Sequence, residues 1–126
     1  MSCPALANIV VEAGNTVYDS RDNCNAIIVT ATNTLKTGCI NTVIPNNIEA
    51  IGIGAFWGCT GLTSIAIPNS VTIIGGGAFR FCSSLELFVF PNSVTYIGNV
   101  VFEDCTSLTS LTVPAATPPS LETNTF

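Results

Sequence analysis

The chain has 126 residues, about one ordinary domain. Against eight acids it carries three bases, Arg21, Lys36 and Arg80, and no histidine, for a formal net charge of −5. So few cations cannot displace the counterions of a nucleic acid or hold an anionic membrane surface, and the missing histidine removes the commonest general base and metal ligand.

Apolar residues make up 48% of the chain, yet no run approaches the ~18 continuous apolar residues of a membrane span. The apolar excess is therefore expected in a protein core, without membrane insertion. Met1-Ser2-Cys3-Pro4 shows neither the basic start nor the long apolar stretch of an export signal. Residues 3–9 carry a C-x-x-L-x-x-I pattern on Cys3, Leu6 and Ile9, the back half of a unit that recurs later. Between Val11 and Ile44 the chain does not repeat. Within that segment, 25–30 and 34–39 alternate in the strand manner around Ala31-Thr32-Asn33, which predicts a β-hairpin.

Residues 44–66, 67–89 and 90–112 align without a gap as three units of 23 residues. Pro45/Pro68/Pro91, Asn46/Asn69/Asn92, Gly52/Gly75/Gly98, Phe56/Phe79/Phe102, Cys59/Cys82/Cys105 and Leu62/Leu85/Leu108 are identical columns. In each unit the Leu62–Ile67 tail alternates apolar with small or polar residues, as a strand with one buried face does. Pro68-Asn69 then ends the strand. Val71 to Ile74 predicts a second short extended piece, with Gly75 supplying a positive-φ corner. Ala78 to Cys82 reads as about one helical turn, placing Phe79 and Cys82 inward. Val113-Pro114 restarts the unit, and the chain stops at Phe126, near the repeat phenylalanine.

The L-x-x-I-x-I tail is the strand signature of a leucine-rich repeat. The chain therefore reads as one leucine-rich-repeat solenoid over 1–126, mostly β with short helical turns. It comprises a partial repeat and a hairpin-bearing variant repeat (1–43), the three regular coils, and a partial repeat at 113–126. Stacked coils form parallel sheets. The phrases IPNSVTIIGGGAF and C-x-x-L-T-S-I resemble the BspA-like leucine-rich repeats of bacterial surface and secreted proteins. The segment GNTVYDSRDNCNAII…TNTL resembles the hairpin-bearing variant repeat of those arrays. That resemblance implies display outside the cell and adhesion or recognition of a host protein.

Most eye-catching residues have a structural reading. Cys59, Cys82 and Cys105 share one repeat position, where buried free thiols suit the space beside the phenylalanines; three equivalent thiols cannot all pair. A disulfide between Cys24 and Cys39 across the hairpin stays open beside free thiols. Zinc is disfavoured without histidine or a C-x-x-C pair. The Asn column is expected to satisfy backbone groups in stacked turns. Gly75-Gly76-Gly77 lacks the Lys and Ser/Thr of a phosphate loop. Asp19, Asp22 and Asn23 lie close enough to suggest Ca²⁺, but the other oxygen ligands are missing and a solvated turn is expected. No cofactor or metal is assigned.

Positions that vary at outward places are the candidate binding residues, because the repeat does not dictate them. Trp57, Arg80 and Phe81 are expected to form an aromatic–cationic patch on neighbouring turns. Tyr96 varies before the corner glycine, and Leu87 with Val89 makes a second apolar patch on the strand face. A non-catalytic protein-binding or adhesion module follows, with a host or matrix protein or a glycan as partner. Alternatives are a structural spacer, or carbohydrate binding by exposed Trp57 or Tyr96. An enzyme ranks last, because Glu103-Asp104 is the one adjacent acidic pair and sits on an exposed turn. Uncapped coil edges add an expectation of marginal stability or end-to-end self-association.

Overall fold

A computed structural model describes residues 4–114 and 118–126. The Cys3 end of the first C-x-x-L-x-x-I match lies outside the described residues. Two sheets run along a stack of coils. The longer begins with an antiparallel unit, β1 (Tyr18–Asp19), β2 (Ala26–Val29) and β3 (Thr34–Gly38). The expected hairpin is β2–β3. The sheet then continues in parallel through β4 (Ala50–Ile51), β5 (Ile73–Ile74), β7 (Tyr96–Ile97) and β9 (Ser120–Leu121). A second sheet pairs β6 (Leu87–Val89) with β8 (Ser110–Thr112), again in parallel. Register follows the repeat: Ala50 pairs Ile73, Ile73 pairs Tyr96, and Leu87 pairs Ser110. No helix of the described residues is long and apolar enough to cross a membrane.

The helical turn expected at Ala78–Cys82 is replaced by consecutive four-residue turns. Ala78, Arg80 and Cys82 N–H groups donate to the carbonyls three residues back. Left-handed residues break any helix here, with φ of 62° at Gly77 and 61° at Phe81. Because the chain is extended enough to leave alternate groups free, this corner makes its own intercoil ladder. Gly54, Phe56 and Gly58 donate to Gly76, Ala78 and Arg80, and Gly77, Phe79 and Phe81 donate to Asn99, Val101 and Glu103.

The corner glycine has a different job from the one its type predicts. Gly52, Gly75 and Gly98 are not in the left-handed region; the positive-φ column is Gly54, Gly77 and Val100. A Cβ at Gly75 would lie 2.7 Å from the Ile53 backbone nitrogen, and at Gly98 2.5 Å from that of Gly76. These glycines let neighbouring coils touch backbone to backbone, so that Gly75 N–H reaches the Ile51 carbonyl at 2.8 Å and Gly98 the Ile74 carbonyl at 2.9 Å.

Inside the coils, Phe56, Phe79 and Phe102 stack with centroids 5.1 and 5.9 Å apart, and Phe126 extends the column at 6.0 Å. Phe88 and Phe90 meet the column edge-on. In the hairpin coil the phenylalanine place falls to Gly38, whose missing side chain makes room for the Phe56 ring. Cys24, Cys39, Cys82 and Cys105 are free thiols. Cys82 and Cys105 donate to the Phe56 and Phe79 carbonyls at 3.2 and 3.0 Å, which gives the small residue of this column a hydrogen-bonding reason. Burial pushes both thiols above their ordinary value.

The backbone bonding expected of the asparagine column is made by other residues. Asn46, Asn69 and Asn92 are exposed, with no side-chain hydrogen bond among the described residues. Thr72, Thr95 and Ser120 instead donate to the backbone of the preceding coil, as do Ser93, Thr106 and Thr109.

The two glycine columns predict substitutions of opposite sign. Gly98→Ala drives a Cβ into backbone and is expected to cost ~3 kcal/mol, as overpacking against an unyielding neighbour does. Val100→Gly relieves a β-branched residue at φ 47° and is expected to stabilise by ~1 kcal/mol. Denaturant midpoints of the two variants against the parent chain check both signs.

Candidate functional site

The repeat register builds the site. Trp57, Arg80 and Glu103 occupy one position of three successive coils, immediately after the stacked phenylalanines. Their backbones are tied by the corner ladder, so their side chains emerge side by side. The Arg80 guanidinium carbon lies 4.9 Å from the Trp57 ring centroid and 4.9 Å from that of Phe81. The two rings are 6.1 Å apart, tilted by 35°. On its other side Arg80 forms an ion pair with Glu103. The expected patch of Trp57, Arg80 and Phe81 is thus brought together, with Glu103, expected on an exposed turn, as a partly buried fourth member. Opposite charges 23 residues apart were the available signal.

Phe81 carries a second mark. Its φ of 61° is shared by Gly58 at 72° and Asp104 at 59° in the neighbouring coils. Glycine and aspartate tolerate this conformation, whereas an aromatic residue there costs ~1–2 kcal/mol. Phe81 is also 38% exposed and Trp57 43%, so the rings are not spent on the core. Such a patch presents apolar ring area with a cation against it.

The other candidates lie elsewhere. Leu87 and Val89 point outward from β6, 48% and 52% exposed. Tyr96 points outward from β7 beside Ile73, and its hydroxyl donates to Glu122 at 3.0 Å, a bond that raises the phenol above its ordinary value. No hydrogen bond or ring contact joins these residues to the Trp57 patch among the described residues.

The acidic loop near the hairpin is a latch. Asp19 accepts two hydrogen bonds from the Arg21 guanidinium, at 2.8 and 2.7 Å, and one from Thr30 at 2.7 Å. Arg21 also reaches Asn33, which donates to Glu49 of the next coil. The Arg21 hydrogen bond holds the Asp19 carboxyl well below the usual carboxylate range. Asp19 is thus saturated by protein donors, and among the described residues no group of three or more His, Cys, Asp or Glu is placed to hold a metal ion.

The model of the BspA type leucine rich repeat region (6 copies) matches residues 35–126. The chain belongs to this family. Among solved structures, a leucine-rich repeat protein from Eubacterium ventriosum ATCC 27560 is 19% identical with a TM-score of 0.56, the match covering 94% of this chain and 44% of that one. A leucine rich cell surface protein from Faecalibacterium prausnitzii A2-165 is 23% identical with a TM-score of 0.53, covering 87% and 42%. The chain therefore spans less than half the length of either. No curated protein matches it. These likenesses establish the fold of a BspA-type repeat array, a scaffold type that generally mediates protein interactions rather than catalysis.

The latch predicts a pH dependence. Because the folded carboxyl of Asp19 is held below its ordinary value of 3.8, its contribution is complete above that value and is lost as pH falls below it. Asp19→Asn is therefore expected to destabilise the hairpin at pH 7 and to flatten the acid limb of the stability curve below pH 4. Urea titrations across pH 2–7, with and without the substitution, read both effects.

Proposed function

We propose that this BspA-type repeat chain is a non-catalytic recognition module of a bacterial cell-surface or secreted protein, which binds another protein through the Trp57–Arg80–Phe81 edge. The strained, exposed Phe81, with the Arg80 guanidinium against both its ring and that of Trp57, is the observation that carries this reading. The fold asks for glycine or aspartate at that place, so the aromatic is retained at a cost in stability, the usual trade of a functional surface. Tryptophan and arginine are the residues that dominate interface energetics, and here the ion pair with Glu103 fixes the arginine before any partner arrives. Surface display draws on the family and on the Faecalibacterium relative, itself a cell surface protein.

A protein partner is favoured over a sugar. The Trp57 ring that a sugar would stack on has Arg80 over it, and the Tyr96 hydroxyl is engaged by Glu122. A spacer role leaves the placement of Phe81 without a purpose.

The test is binding of the purified chain to immobilised extracellular-matrix proteins and to a glycan array, beside a Trp57→Ala/Phe81→Gly double variant. Glycine suits the left-handed backbone, so this variant keeps its fold. Saturable binding to a matrix protein, weakened at least ~100-fold in the variant, is the expected result for two hot-spot residues. A folded chain that binds no protein, or a variant that binds as tightly as its parent, overturns the proposal.

A further inference from the structure

The second sheet contains a gap. Ser64, Ile65 and Ala66 occupy the repeat positions that form β6 and β8 in the next two coils, and Ile67 follows them. They alternate as a strand does, with Ile65 and Ile67 packed on the core and Ser64 and Ala66 exposed. Yet none of their backbone N–H or C=O groups meets a hydrogen-bond partner among the described residues. The segment touches its successor at one end, where Glu86 N–H donates to the Thr63 carbonyl at 3.2 Å, and separates beyond it. On the other side Val43 N–H is committed to the Cys24 carbonyl of the hairpin unit.

Grooves therefore flank the segment on both sides. One is closed by Val43 and Ile44, the other by Leu87, Val89 and Pro91, and no charged residue lines either. Val43 is 74% exposed in the first groove, and Leu87 and Val89 are half-exposed in the second. Open backbone donors and acceptors on an extended segment, bordered by uncharged apolar side chains, have one complementary ligand chemistry: another extended, uncharged peptide backbone.

We propose that 64–67 is a strand-addition site, which takes up an extended segment of a partner protein with uncharged, alternately apolar side chains. Main-chain hydrogen bonds to 64–67 supply the affinity, and Val43, Leu87 and Val89 select the side chains. This surface is separate from the Trp57 patch, and either can fail without the other.

The probe is a synthetic peptide copying residues 108–113, Leu-Thr-Ser-Leu-Thr-Val, because this uncharged sequence already contains the strand that pairs with β6. Amide hydrogen exchange and two-dimensional NMR are read on the full chain. Without peptide, the amides of 64–67 are expected to exchange far faster than those of 87–89. With peptide, they gain protection, and resonances at 64–67 and 87–89 shift saturably. Ala66→Pro removes an open donor while breaking no existing bond, and is expected to weaken binding at least ~10-fold. A peptide with methylated backbone nitrogens serves as a non-binding control. Protection of 64–67 in the free chain at every concentration, absence of shifts at millimolar peptide, or unchanged binding by Ala66→Pro overturns the proposal. Protection that rises with protein concentration alone assigns the edge to a second copy of this chain and overturns the partner-peptide assignment.

Discussion

Backbone-to-backbone contact at one corner of each coil is the constraint on which the rest of this structure depends. Gly52, Gly75 and Gly98 give up their side chains so that successive coils reach hydrogen-bond distance there. Once the corner is closed, the 23-residue register follows, because each coil must return to the same place. The phenylalanine column stacks within contact distance, and the thiols of Cys82 and Cys105 reach carbonyls of the preceding coil. Main-chain ladders run along the sheet and the turn corner, with threonine hydroxyls reinforcing the former. Stability in such an array is a sum of nearest-neighbour terms, so a fault at one interface is not repaired by distant contacts.

The candidate site inherits this geometry. Trp57, Arg80 and Glu103 are neighbours because the register makes them so, and the ring–cation–carboxylate column needs no loop to position it. A surface set on rigid coils costs little to order on binding, which is how a solenoid reaches useful affinity with few residues. The same register, interrupted at 64–67, leaves backbone groups open where the neighbouring coils close theirs.

Much of this was legible because it repeats. The Phe, Cys and Leu columns declare a core by recurrence, and the alternation either side of Ala31-Thr32-Asn33 declares a hairpin. The proximity of Trp57 to Arg80 and Phe81 also follows from the spacing. What stayed hidden depends on the neighbouring coil. An invariant glycine fits a left-handed corner or a close approach equally well, and only the Ile53 and Gly76 backbones decide the matter. Phe79 and Cys82, three apart, fit a helical turn as well as successive β-turns; Gly54 and Gly58 were the signal against a helix. Asn46 and its copies looked like ladder formers by residue type, but the threonines stand nearer the carbonyls that need donors. Nothing in the Leu62–Ile67 pattern distinguishes it from its paired successors. On one side its neighbour Val43 donates its N–H to the Cys24 carbonyl of the hairpin unit instead.

The most direct test of the central claim is native-state hydrogen exchange of the amides that cross the corner. If backbone contact there holds the coils together, Gly52, Gly75 and Gly98 are the slowest to exchange and open only with global unfolding. Exchange at these amides as fast as at 64–67, with protection residing in β6 and β8 instead, would contradict the account.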